Sequence, residues 1–261
     1  MTDKFNFSNG ATYERYMGKW SQLVGEAFLD WVAPKTGLRW LDVGCGNGAF
    51  TDMVVERCMP ASVMGIDPSE GQLAYARSRF ESNIVQFHQG DAMAQPFSDN
   101  TFDVAVMPLV IFFVPDPAKG ISEMVRVVCP GGIVSAYAWD MVGGGFPYES
   151  LFVEMRAMGI SVPIEPSREA SRIDLMHGFW VGASLVEIES RVFNVKRTFN
   201  DFNDYWTTVL GSPSVGSKLA EMSSDNIAIL KKQMRSRLPV DSAGQITYNA
   251  RANAIKGRLP S

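Results

Sequence analysis

Residues 41–48, LDVGCGNG, place a carboxylate, Asp42, in a short apolar run and follow it with Gly44, Gly46 and Gly48. Glycine lets a backbone turn through left-handed conformations and lets a ligand approach where a Cβ would hold it off. In an open parallel sheet, the bend after the first strand is where ligands bind. Two templates fit the spacing. Gly44, Gly46 and Ala49 satisfy the dinucleotide fingerprint G-x-G-x-x-G/A, with Asp67 about 20 residues further on. Charge argues against that template, because a dinucleotide sets its pyrophosphate on this bend, close to Asp42. At several Å and an effective dielectric of about 20, each such repulsion costs about 1–3 kcal/mol. A ligand carrying a positive group suits the bend better.

Other residues could do chemistry, and each has a plainer reading beside it. Asp67, in DPSEG, can accept from a pair of hydroxyls or simply close an Asx turn. Asp91, in GDAM, is a ligand carboxylate or a surface turn after a strand. Asp99-Asn100 reads as a turn, and Asp103 as a strand-opening carboxylate with a structural partner. Of the two histidines, His88 lies inside a strand, whereas His177 shares a helical face with Ile173 and Trp180, as packed histidines do. General bases are most often histidines, so His177 is carried as a candidate catalytic base, together with Asp140 and Tyr13. Trp139-Asp140 falls at the mouth of a strand, where a second substrate can enter. No cluster has metal-ligand spacing.

These residues need a sheet to position them. Strands are expected at 39–43, 62–66, 84–88, 102–107 and 132–138, each short and rich in Val, Ile or aromatics. Crossover helices separate them, which argues for a parallel sheet. AFTDMVVERC is the first. SEGQLAYARSRF opens on a capping box, Ser69 and Gln72. DPAKGISEMVRVVCPGG starts with Asp116 as cap and Pro117 in the first turn, and is expected to stop at Pro130-Gly131. Beyond the glycine-rich MVGGGFPYES, helices are expected over 148–158 and 167–183, a strand over 186–199, helices over DFNDYWTTVL and 215–237, and a last strand from Ile246. The domain reading is a helical lead-in or lid over 1–38 and one domain over 36–261, with helical cap segments around 141–182 and 200–240. Tyr13, Tyr16 and Trp20, with the 200–240 insertion, are expected to close over the site.

Composition bounds the partners. Hydrophobic residues are 46% and charged residues 20% of 261, with a net charge of -4, enough apolar content for a core and no pull towards a polyanion. Nucleic acid is not an expected partner. Cys45, Cys58 and Cys129 lack disulfide or redox spacing, which fits a reducing compartment. The N-terminus has no apolar core like that of a signal peptide, and the run from Val104 to Val114 is broken by Pro108. A soluble cytoplasmic protein with no membrane partner is expected; the oligomeric state is not legible.

LDVGCGNG, GIDPSEGQLAYAR, FHQGDAMAQPFSDNTFDVAV and EMVRVVCPGG, in this order over residues 36–140, resemble the class I S-adenosylmethionine-dependent methyltransferases, in their small-molecule, type 11-like branch. That resemblance implies a Rossmann-like seven-stranded, mostly parallel sheet with helices on both faces and a helical cap. It implies S-adenosylmethionine as cofactor and methyl transfer to a small-molecule acceptor. Gly44, Cys45, Gly46 and Gly48 would shape the loop under the methionine portion, with Asp42 organising it. Asp67 would bind the ribose hydroxyls, Pro68 and Gln72 would flank the adenine, Asp91 and Ala92 would meet its edge, and the Met107 carbonyl would face the ammonium. Pro108, in MPLVIFF, stiffens a turn that often carries a polar residue in relatives. An NAD(P)-dependent oxidoreductase and a non-catalytic S-adenosylmethionine-binding protein are the alternatives.

Overall fold

The computed structural model describes residues 14–261 apart from 163, 213 and 214. The short apolar runs form β1 (Arg39–Val43), β2 (Ser62–Asp67), β3 (Val85–Gln89), β4 (Phe102–Pro108) and β5 (Val128–Trp139), all parallel. Two longer strands follow, β6 (Val186–Phe199) and β7 (Ile246–Arg258). The sheet has seven strands in the order β3-β2-β1-β4-β5-β7-β6, and β7 alone runs against its neighbours. The chain steps from β1 outward to β3, then returns to β4 on the other side of β1. That reversal opens a crevice at the carboxyl ends of β1 and β4. Asp42 sits in it, level with Gly65 on one side and Val106 on the other.

Helices cover both faces. α1 (Lys19–Val32) and α2 (Ala49–Cys58) pack on the side of Tyr137, with the Phe28 ring 4.6 Å and the Phe50 ring 5.8 Å from it. α3 (Glu70–Arg79) starts at Ser69, whose side chain accepts from Gln72 N. Only half of the expected capping box is made: the Ser69 N–H goes to Asp67 Oδ1 at 2.8 Å, which leaves Gln72 Oε1 without a partner among the described residues. On the other face lie α4 (Pro117–Val127), capped by Asp116 as its sequence predicts, and α6 (Ile173–Gly182), anchored by Trp180 Nε1 on Val134 O at 3.0 Å. α4 ends at Val127 rather than at Pro130-Gly131, because Val128 already pairs with Phe102 and the Pro-Gly pair falls in the irregular opening of β5.

In the second half the helical spans are more broken than the pattern predicts. α5 (Glu149–Ala157) matches its expected span. The 167–183 helix divides into a 3-10 turn (Arg168–Ser171) and α6, separated by the extended Arg172. After α7 (Phe202–Leu210), the 215–237 helix divides into α8 (Gly216–Glu221) and α9 (Ser224–Arg237), where Ser223 turns out and caps the second piece. A π-helical turn (Glu14–Gly18) leads into α1. Asp103 has a structural role, taking Arg39 N, Nε and Nη2 at 2.7–3.0 Å.

Candidate active site

The bend after β1 is held from below by β2. Gly44 N and Cys45 N both donate to Ile66 O, at 2.8 and 3.0 Å. Gly44 and Gly48 take φ of +75° and +78°, and a Cβ on Gly44 would lie 2.5 Å from Val110 Cγ2. A Cβ on Gly46, at φ +51°, would meet nothing within 4 Å, so this glycine borders open space. The Gly46 N–H donates to Asp67 Oδ2 at 3.0 Å. Asp67 thereby ties the glycine bend to the start of α3 with one oxygen each, and each oxygen keeps a lone pair for a further donor. Burial pushes its carboxyl up, against the pull of the Ser69 and Gly46 bonds.

Asp42 is 1% exposed. Its Oδ2 accepts from Thr51 Oγ1 at 2.7 Å, and its Oδ1 is buried with no partner among the described residues. Burial, opposed by the Thr51 bond and reinforced by the Asp67 charge, pushes its carboxyl up to about 7. A half-partnered buried carboxylate is costly unless a cation meets it. The Cys45 side chain is buried against Gly65 and its thiol is pushed up by burial, so it offers the bend only its backbone.

The neighbouring loops close on the same edge. Gly90 N donates to Asp67 O at 3.2 Å, and Gln89 Nε2 to Pro68 O at 3.0 Å, which brings Asp91 and Ala92 alongside Asp67 and Pro68. Asp91 is exposed and closes its own turn on Met93 N at 2.8 Å, while the Ala92 carbonyl accepts from Gln95 Nε2. Gln72 is buried at the first turn of α3, and its Oε1 has no partner among the described residues. Met107 is fully buried, and β4 runs one residue beyond it. Pro108 is therefore not the turn: pairing continues through Leu109 N to Tyr137 O at 2.7 Å, and the chain bends at Leu109, with φ +59°.

Asp42, Gly44, Cys45, Gly46, Gly48, Asp67, Pro68, Gln72, Asp91 and Ala92 thus sit along one edge, with Met107 on the next strand. The candidate bases do not join them. The Asp140 carboxylate is spent on a structural clamp, with Arg251 Nε and Nη2 on Oδ2 at 2.9 and 2.7 Å and Gly143 N on Oδ1 at 2.8 Å. His177 is exposed on α6: of its expected face only Trp180 is fully buried, together with Met176, while Ile173 is half-buried. His88 is exposed on β3. Tyr13 lies outside the described residues. Among the described residues no group of His, Cys, Asp and Glu could hold a metal, and no helix is long and apolar enough to cross a membrane.

A second grouping lies at the mouth of β5 and β7, and spacing did not reveal it. Tyr16 stacks on Tyr148 with ring centroids 4.3 Å apart, and the Tyr148 hydroxyl donates to Tyr16 O at 2.7 Å. Trp20 Nε1 donates to the Tyr148 oxygen at 3.3 Å, and its ring touches Trp139 and Tyr248. Tyr205 of α7 and Phe199 of β6 complete the wall. The described N-terminal aromatics and the 200–240 insertion therefore meet at the β5 mouth. Thr51, Val110, Arg197, Tyr148 and Tyr248 were not anticipated. Only register across β6 and β7, which a single sequence does not print, brings Arg197 opposite Tyr248.

Comparison with known proteins fits this geometry. The family model for a methyltransferase domain matches residues 41–136. Through that segment, a little over a third of the chain, the sequence is similar to methyltransferase domains. It is 37% identical over 115 residues to a ubiquinone/menaquinone biosynthesis C-methyltransferase of Roseobacter denitrificans, a match covering 42% of this chain and 46% of that one. The match therefore spans a little under half the length of that relative. Among solved structures, a phosphoethanolamine N-methyltransferase 2 of Haemonchus contortus in complex with S-adenosyl-L-methionine aligns with a TM-score of 0.62 at 21% identity, covering 98% of this chain and 58% of that one. The [4+2]-cyclase SpnF aligns with a TM-score of 0.53 at 18% identity, covering 91% and 80%. These likenesses describe the fold, and the cyclase marks how far one fold stretches in chemistry.

Proposed function

We propose that this protein is a cytoplasmic enzyme that transfers the methyl group of S-adenosylmethionine to a small-molecule acceptor, without nucleic-acid or membrane partners. The observation that carries the reading is the buried, half-partnered Asp42 beneath a bend whose glycines leave open space at Gly46. An ammonium satisfies that carboxylate; a pyrophosphate is repelled by it. The family match lies with methyltransferases and lends nothing to the nicotinamide alternative.

In this reading the backbone of Gly44, Cys45, Gly46 and Gly48 cradles the methionine portion, and Asp42 and the Met107 carbonyl hold its ammonium. Asp67 accepts from the ribose hydroxyls with its remaining lone pairs. Pro68 and Gln72 flank the adenine, the spare Gln72 oxygen being free to accept a hydrogen bond, and Asp91 and Ala92 read its edge. Bound there, S-adenosylmethionine supplies a sulfonium-activated methyl group for in-line displacement. The chain's own contribution is then orientation and exclusion of water. We assign that exclusion to the segment 1–38 and to the helical caps at 141–182 and 200–240, mounted on a single domain over 36–261.

Calorimetry with S-adenosylmethionine, S-adenosylhomocysteine and NADH in parallel tests the proposal. The first two bind and NADH does not, and Asp67→Ala weakens them by about 100-fold, as losing two charge-assisted hydrogen bonds predicts. NADH uptake with no binding of the sulfonium compound overturns it. Label transfer from methyl-labelled cofactor separates an enzyme from a binding protein that does not turn over.

A further inference from the structure

The aromatic grouping at the mouth of β5 has polar groups left over, and they are donors. Trp139 is 1% exposed, and its indole N–H has no partner among the described residues. The Tyr248 hydroxyl is likewise buried without one. Arg197 is half-buried and reaches Tyr16 O at 3.3 Å and the Tyr148 oxygen at 3.5 Å, while its guanidinium lies 4.4 Å over the Phe199 ring. No carboxylate among the described residues pairs with it. Trp20 links them: its ring lies 6.5 Å from Trp139 and 5.3 Å from Tyr248, and Tyr248 is opposite Arg197 in the sheet.

A buried donor without an acceptor has given up its water for nothing, so two beside an unneutralised guanidinium are not a settled core. An indole N–H and a guanidinium can only donate, and a phenol can do so. What they lack is oxygen, best an anionic one, to which Arg presents a fork. The surrounding rings, Tyr16 stacked on Tyr148 among them, are walls for a flat molecule. The place is apt, because β5 is the strand next to β4, whose Met107 carbonyl is assigned to the cofactor.

We propose that this grouping is the methyl-acceptor site, and that its acceptor is a flat aromatic molecule bearing an anionic oxygen, a carboxylate or a phenolate. The inference rests on the methyltransferase reading above. It accounts for the fate of the candidate bases: His177 is exposed and Asp140 is clamped, and an acceptor held ionised by Arg197 needs neither.

The protein loaded with S-adenosylhomocysteine is titrated with 2-naphthoate, 2-naphthalenemethanol and 2-naphthylmethylamine, following quenching of tryptophan emission, to which Trp20 and Trp139 contribute. Naphthoate binds at least tenfold more tightly than the alcohol or the amine. Arg197→Met removes that preference and Arg197→Lys retains part of it, while S-adenosylhomocysteine affinity is unchanged in both. Tyr248→Phe weakens naphthoate by about threefold, the scale of one neutral hydrogen bond. Equal affinity for the three probes, a naphthoate affinity indifferent to Arg197→Met, or no binding of any probe, as when the spare donors hold only water, overturns the acceptor site and leaves the cofactor reading standing. Failure of S-adenosylhomocysteine itself to bind overturns both.

Discussion

The bend at β1 and the aromatic grouping at β5 and β7 are both buried, and both have polar capacity to spare, of opposite sign. Around the bend the unspent atoms accept: Asp42 Oδ1, Gln72 Oε1 and, beneath the Asp91 turn, Gln95 Oε1. In the aromatic grouping they donate: Trp139 Nε1, Tyr248 and Arg197. On the readings proposed above, the bend suits a cation and the aromatic grouping an anion, which is the polarity that a sulfonium methyl donor and an ionised acceptor require. The two sides are also built differently. Backbone geometry shapes the first, and side chains from six separate elements, with Tyr148 between two of them, make the second.

That contrast can be broken at the bend first. Gly44→Ala forces a Cβ to 2.5 Å from Val110 at φ +75°, and is expected to cost about 2–4 kcal/mol, seen as a fall of roughly 5–10 °C in the thermal midpoint. Val110→Ala in the same chain recovers the part due to collision and not the part due to φ. Recovery of the whole loss would show that backbone conformation is not what the bend depends on.

A smaller effect sharpens the charge assignment. The Asp42 carboxyl titrates near 3.8 in the unfolded chain and at about 7 in the folded one. The folded state therefore holds the proton longer, and stability falls as pH rises from about 4 to about 7, then levels off. Asp42→Asn flattens that fall in denaturant titrations across the same window. S-adenosylmethionine affinity should rise through about pH 7 in the parent as the carboxylate ionises, and lose that rise, with about tenfold weaker binding at high pH, in the variant. A parent affinity without pH dependence would detach Asp42 from the ammonium. The smallest effect is expected from His177→Ala: turnover within about twofold and stability within about 0.5 kcal/mol of the parent, as for an exposed surface position. A large loss of turnover would return a base to the mechanism.

The half of the molecule that backbone makes was the more legible. The boundaries of β1 to β4 follow from their apolar runs, and the glycines and Asp67 announce the bend, because turn chemistry is local. The second half obeys distant partners. The α4 terminus was lost to strand pairing at Val128, and 215–237 divides where Ser223 caps Asn226, a signal that its Ser-Ser-Asp-Asn stretch does carry. Arg172 breaks 167–183 with no comparable mark. Thr51 reaches Asp42 from the facing turn of α2, and Arg197 meets Tyr248 only through the register of β6 on β7. His177 faces solvent although it shares a three-four spacing with Trp180, because that spacing gives a face but not which edge of it turns inward.

The position of β7 sets an order on synthesis. β6 pairs with β7 alone, and β7 emerges only after the helices of 202–237 have been made. Until then β6 has no strand to lie against, and its peptide groups stay with water. When β7 slots in, it seats β6, closes the outer side of β5 and delivers Tyr248 in one event. A nascent chain can thus shape the pocket for the methyl donor while the chamber for the recipient is still unbuilt.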